Sequence, residues 1–347
     1  MRETASVSPA NHRKSPRTSD TPRVDTAPAT GHRWPAGAVV TGAGRGLGRQ
    51  IATMLVERGH HVLVTDVDDA AAQQAASELG ERATALALDV RDDAAVRAAR
   101  DQIIAIAGRL DVWVNNAGVL FTGPAWEHDA QQRRLMLEVN AIGTMNGTLA
   151  AIESMRASGG GQIINVASLA GLTAVPGEGV YAASKHAVMG FSLSTMADLR
   201  AAKVKDVHIS CICPDGIWTP MLHDRLDDPG AALSFSGKLL QPHEVVTAVG
   251  KVLDEPRLVT ALPGWRGAVV RFGDLFPALG LALTPFVVRQ GERTQRRMRK
   301  QQQGRRGSAG AEPLGVGAER DARSLRLGGC RGKVGGDLLD GQGDRRR

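Results

Sequence analysis

From residue 35 to about residue 266 the chain alternates short, β-branched apolar runs with longer stretches whose apolar residues recur every three or four positions. The short runs predict strands at 38–41, 61–65, 84–88, 112–114, 162–166, 208–213 and 258–262. The longer stretches predict helices at 47–57, 70–79, 94–107, 131–155, 181–202 and, after Pro242, 243–253; Ile51, Leu55 and Val56 illustrate the helical spacing. Strand and helix in strict alternation is the pattern of a parallel sheet covered on both faces, so the expected fold is α/β, a doubly wound parallel sheet in one domain over 35–266. No internal repeat is visible.

The flanks read differently. Residues 1–34 are rich in Ser, Thr, Pro and Arg, with little apolar material to offset the entropy of ordering, and a disordered arm is expected. Residues 304–347 are Gly- and Arg-rich and read as a second disordered tail. Between domain and tail lies an extension, 267–303. Its stretch 275–288, LFPALGLALTPFVV, is apolar, and Arg289, Arg293, Arg296, Arg297, Arg299 and Lys300 follow. At 14 residues with two prolines that stretch is too short to span a bilayer, which takes about 20. It reads as a helix covering a pocket or a neighbouring subunit, or as a peripheral membrane contact through 275–300.

Charge refines this organisation. The formal charge of +7 divides into +3 for residues 1–34, +5 for 289–303, +4 for 304–347 and −5 for 35–288. The body is mildly acidic, which argues against a nucleic-acid partner, since that needs positive charge on a folded face. Three cysteines, Cys211, Cys213 and Cys330, suit a reducing cytoplasm rather than a disulfide framework or a metal site, and no metal is expected. In the strand, Cys211 and Cys213 share a face and read as small buried hydrophobes. No apolar run follows the basic residues of the N-terminus, so no secretory signal is read there.

Candidate chemistry begins at the first strand-to-helix junction, Thr41-Gly42-Ala43-Gly44-Arg45-Gly46-Leu47-Gly48. Glycines there allow backbone angles closed to other residues and a close approach of the chain to a pyrophosphate at the helix N-terminus. The next strand ends at Asp66, 18 residues after Gly48, where a carboxylate can hold the adenosine ribose hydroxyls of a dinucleotide.

Further segments make the pattern specific: Asn115-Asn116-Ala117-Gly118 after the fourth strand, Asn140, Ser168 after the fifth strand, and Tyr181-Ala182-Ala183-Ser184-Lys185 opening a long helix. With the glycine loop, and in this order, they resemble the classical short-chain dehydrogenase/reductase family over roughly residues 36–265. The resemblance implies a Rossmann-like fold and an NAD(P)-dependent oxidoreductase. Tyr181 would be the general acid/base, Lys185 its activator and a ligand of the nicotinamide ribose, Ser168 the partner of the substrate oxygen, and Asn140 the organiser of a water relay. The cofactor would lie against Gly42, Arg45, Gly46, Leu47, Gly48, Asp66, Asp89, Val90, Asn116, Ala117, Gly118, Tyr181, Lys185, Pro214 and Thr219.

Elementary chemistry points the same way. A phenol titrates near pH 10, so a tyrosine shuttles protons near neutrality only where cations favour its phenolate. The four-residue spacing from Tyr181 to Lys185 sets both on one helix face. One departure stands out: in Pro214-Asp215-Gly216-Ile217-Trp218-Thr219, Asp215 occupies the position where the family usually has glycine, and a shifted backbone beside the nicotinamide is expected.

For the cofactor, Asp66 favours NAD because it would repel a 2′-phosphate, while Arg45 could grip that phosphate; NAD preference with residual NADP use is expected. Leu120, Phe121, Leu172, Val175, Trp218, Met221, Leu222, Leu226, Leu233 and Phe235 suggest an apolar pocket, hence a small lipophilic alcohol or ketone as substrate, or else packing of a lid onto the body. A homodimer or homotetramer is expected, cytoplasmic or membrane-associated. The rival functional reading is a catalytically silent dinucleotide-binding module for regulation or assembly, and Asp215 is its support.

Overall fold

The computed structural model describes residues 37–309, with side chains through residue 303. The arm expected at 1–34 and the tail beyond residue 309 lie outside the described residues. In chain order the elements are β1 (Gly37–Thr41), α1 (Gly46–Glu57), β2 (His61–Asp66), α2 (Asp69–Leu79), β3 (Ala83–Ala87), α3 (Asp93–Ala107), β4 (Leu110–Asn115), α4 (Ala130–Leu137), a π-helical turn (Glu138–Ile142), α5 (Gly143–Ser158), β5 (Gly161–Val166), α6 (Gly179–Ala201), β6 (Val207–Pro214), the one-turn α7 (Pro220–His223), a 3-10 stretch (Pro229–Phe235), α8 (Pro242–Asp254), β7 (Val259–Leu262), α9 (Gly264–Leu275) and α10 (Pro277–Ala309).

The seven strands form one sheet in the order β3-β2-β1-β4-β5-β6-β7, parallel throughout. Alternation along each strand sends side chains to both faces. Val40, Val64, Val114, Ile164 and Ile212 meet Ile51 and Leu55 of α1 and Val245 and Val249 of α8 on one side. On the other side Val39, Leu63, Trp113, Ile163 and Ile209 meet Ile103, Met155, Met196 and Leu199 of α3, α5 and α6. Strand order reverses between β1 and β4, which opens a crevice at the carboxyl ends of the strands, where ligands bind in such sheets.

Cys211 and Cys213 are buried together on β6, and burial pushes both thiols up, Cys213 to about 12, so they act as hydrophobes and not as nucleophiles. The helix expected at 131–155 is interrupted by the π-helical turn, which holds Asn140. The chain past β6 departs most from expectation. Residues 217–240 form a lid of short turns, and two helices, α9 and α10, follow β7.

α10 continues six residues past residue 303, into the stretch read as tail. Its inner face straps the lid: a Cβ on Gly291 would collide with the Ala232 carbonyl, Gln295 Nε2 donates to Asp228 O at 2.9 Å, and Met298 packs against Leu222, Leu226 and Phe235. The apolar stretch 275–288 does not line the crevice; its leucines and phenylalanines stand exposed, while Val287 and Val288 are half-buried.

Candidate active site

A cleft of about 710 Å³ runs along the carboxyl ends of the strands, from the glycine loop to the lid. At the glycine end, Gly42 and Gly46 have φ of 61° and 60°, angles that disfavour any side chain. A Cβ on Gly48 would collide with Gly42 O and with Asn116 Nδ2, so this glycine lets α1 close onto the loop. Asn116 Nδ2 in turn donates to the carbonyls of Thr41 and Gly42, 2.9 Å each, and Thr41 Oγ1 receives the backbone N–H groups of Asn116 and Ala117 at 3.0 and 3.1 Å. The two loops thereby form one rigid rim. Arg45, the N-cap of α1, gives no side-chain cap, which leaves the first N–H groups of the helix facing the cleft beside Gly46 and Leu47.

Asp66 Oδ2 accepts from Gly44 N at 3.0 Å and its Oδ1 from Asp68 N at 3.1 Å, so the carboxylate shapes the loop and also borders the cleft. Arg45 is exposed on the same border. Asp89 lines the cleft with Val90, but its carboxylate is held by Arg91 Nε at 2.9 Å and sits below the usual range because of that guanidinium. Ala117, Gly118, Pro214 and Thr219 complete the wall.

At the other end, Ser168, Tyr181 and Lys185 line the cleft together. Tyr181 is the chain's single tyrosine. Lys185 is 4% exposed; its Nζ donates to Val166 O at 2.9 Å and lies 5.6 Å from the centre of the Tyr181 ring. Burial lowers the ammonium to about 8. Burial and the nearby Glu178 carboxylate raise the Tyr181 phenol above its ordinary value, against the opposing pull of a Ser168 hydrogen bond and of Arg225. Asn140 is fully buried outside the cleft lining. Its Oδ1 accepts from Val119 N at 2.8 Å and its Nδ2 donates to Val119 O at 2.9 Å and to Ser184 Oγ at 3.0 Å, which fixes the Gly118–Val119 segment in front of Lys185.

Asp215 sits in a backbone conformation open to any residue. The one described non-glycine residue with positive φ is Lys203, so position 215 needs no glycine here. Its carboxylate pairs instead with Arg266 Nε of α9 at 2.7 Å, both side chains largely buried, and Arg266 also donates to Ser236 Oγ at 2.6 Å. The departure from the family pattern therefore has a partner in α9.

On the substrate side, Leu120, Phe121, Val175, Met221, Leu222 and Leu233 line the cleft as expected. Leu172, Trp218, Leu226 and Phe235 do not: Leu172 packs beneath the site with Val188 and Met189, and the other three build the lid's own core. Apolar residues in a lid serve both purposes, and the sequence alone does not separate them. Seven polar lining residues went unread, Arg91, Thr173, Glu178, Asp224, Arg225, Ser234 and Arg266. Glu178 is 2% exposed; burial carries its carboxyl up to about 7, opposed by a 2.5 Å hydrogen bond from Ser234 Oγ of the lid. Arg225 donates to Leu120 O, tying lid to rim. Their signal was faint, because no short motif includes them.

Similarities to known proteins agree with this geometry. The chain is 37% identical over 191 residues to the sex determination protein tasselseed-2 of Zea mays, a match covering 53% of this chain and 56% of that protein. It is 35% identical over 219 residues to cyclopentanol dehydrogenase of Comamonas testosteroni, covering 61% of this chain and 86% of that one. The structure of a short-chain dehydrogenase/reductase from Burkholderia phymatum in complex with NAD superposes with a TM-score of 0.62 at 29% identity, over 68% of this chain and 92% of that one. The short chain dehydrogenase family model matches residues 36–230, and the chain belongs to that family of oxidoreductases.

Proposed function

We propose that the protein transfers a hydride between NAD(P) and a lipophilic secondary alcohol or its ketone, with Tyr181 as the general acid/base. The observation that carries this reading is the meeting of Ser168, Tyr181 and the buried Lys185 in the cleft whose far end is the glycine rim. A dinucleotide fits that rim: uncapped N–H groups at the start of α1 for the pyrophosphate, Asp66 for the ribose diol, and Leu88 and Val90 for an apolar ring. When bound, its nicotinamide accepts or supplies the hydride.

The chain's own residues handle the proton. In oxidation, Tyr181 Oη as phenolate takes the hydroxyl proton while the carbinol carbon gives up its hydride, so alcohol becomes ketone; reduction reverses both movements. Ser168 holds the substrate oxygen. Lys185, anchored on Val166 O, has two N–H groups left for the nicotinamide ribose and for the field that favours the phenolate. Asn140 positions the segment in front of Lys185 through Val119.

NAD is the proposed preference, from Asp66. Leu120, Val175, Met221 and Leu233 favour an apolar substrate, and the likeness to a cyclopentanol dehydrogenase supports an alicyclic alcohol. The test is a panel of cyclic, aliphatic and polyhydroxylated alcohols with each cofactor, followed by reduced-cofactor absorbance. Turnover of cyclic and aliphatic secondary alcohols is expected; turnover of polyols alone would contradict the substrate class, and none with any alcohol or ketone would contradict the reading.

A further inference from the structure

No helix among the described residues is long and apolar enough to cross a membrane. Yet α9 and the first half of α10 expose large apolar side chains: Trp265, Val269, Phe272, Phe276, Leu279 and Phe286 are between 51% and 66% exposed. On α9 they recur at four and three residues, with Phe276 four residues further at its C-cap, along a face about 100° round the helix from Arg266 and Val270, which line the cleft. The two helices meet closely where Gly280 approaches the Gly273 carbonyl, and the Phe272 and Phe276 rings lie in tilted contact at 5.3 Å, so the apolar surface is continuous across the turn. Isolated exposed apolar residues need no explanation; a contiguous patch does.

The outer stripe of α10 then changes character without changing direction. Leu279, Leu283 and Phe286 give way, at the same three- and four-residue spacing, to Arg289, Arg293, Arg297 and Lys300. All are exposed, and Arg289, Arg293, Arg297 and Lys300 make no ion pair with the described residues. The opposite stripe is committed, through Gly291 and Gln295, to the lid.

We propose that this surface docks the enzyme in the plane of a bilayer that carries anionic lipid. The apolar side chains of α9 and α10 would enter the acyl boundary and the arginines would meet the headgroups. Charge complementarity selects this occupant over a second copy of the chain. A two-fold contact of the stripe with itself would set its arginines against arginines or against its apolar half.

The test uses the purified full chain in co-sedimentation with vesicles of phosphatidylcholine alone or mixed with phosphatidylglycerol. The proposal expects recovery about tenfold higher on the anionic vesicles, falling at high salt. Phe276→Asp combined with Phe286→Asp should abolish that recovery while melting temperature and cofactor affinity stay unchanged. Arg289→Gln, Arg293→Gln and Arg297→Gln together should remove the anionic preference. If the doubly acidic variant sediments like wild type, the basic ends of the chain are responsible and the proposal fails. It fails equally if wild type ignores both vesicles, or if the acidic variant merely halves a dimeric mass without changing vesicle binding.

Discussion

Ser234 Oγ, on the lid, donates a 2.5 Å hydrogen bond to Oε1 of Glu178, three residues ahead of Tyr181. This bond links the substrate-side lid to the start of α6, and through it the lid senses a carboxyl raised to about 7 by burial. In the unfolded chain the same group titrates near the ordinary glutamate value of 4.5. The unfolded state therefore loses this proton first, and stability falls as pH rises from about 4.5 to about 7. The span corresponds to about 3 kcal/mol. Glu178→Gln should gain on wild type over that window, up to about this amount, and hold the gain above it; equal denaturant midpoints of the two proteins at pH 5 and pH 8 would contradict the assignment.

Asp215 and Arg266 form the second unread pair. Restoring the family's usual residue with Asp215→Gly should destabilise the protein by about 3 kcal/mol, because it leaves a largely buried guanidinium without its carboxylate. Arg266→Met together with Asp215→Gly should recover part of the loss. Urea midpoints for the single and double variants decide this.

Cofactor choice is predicted to rest on Asp66. The ratio of kcat/KM for NAD to that for NADP should exceed one in wild type and fall by at least about tenfold in Asp66→Ala, as repulsion of the 2′-phosphate is removed. Activity with NAD should also drop, since the Gly44 and Asp68 N–H groups lose their acceptor. An unchanged ratio would assign discrimination elsewhere.

Tyr181 can be titrated without interference, since no other tyrosine exists in the chain. Without cofactor its phenolate absorbance should appear only above pH 10, because burial and Glu178 oppose ionisation. With oxidised cofactor bound, the onset should move to lower pH. An onset below pH 10 in the free protein would show that Lys185 alone suffices.

The sheet and its flanking helices were readable from residue pattern because each obeys a local rule. Strands such as 61–65 and 162–166 are short apolar runs, and α1, α2 and α3 carry the three-and-four spacing. Ser168, Tyr181 and Lys185 could be singled out because they follow the other motifs in the order of a known family, and the cleft holds all three. The π-helical turn at Asn140 was not readable; its side chain is held by Val119, 21 residues away. Nor was α9, whose three glycines blur the helical period. Glu178 and Arg266 acquire meaning only from residues 56 and 51 positions away, Ser234 and Asp215.

Turnover of Tyr181→Phe tests the central claim most directly. The variant deletes one phenolic oxygen and preserves the ring, so cofactor affinity should stay within about twofold while the rate of alcohol oxidation under chemistry-limited conditions falls by about 10² to 10⁴. Retention of more than about a tenth of wild-type turnover would contradict the role of Tyr181 as the proton-transfer group.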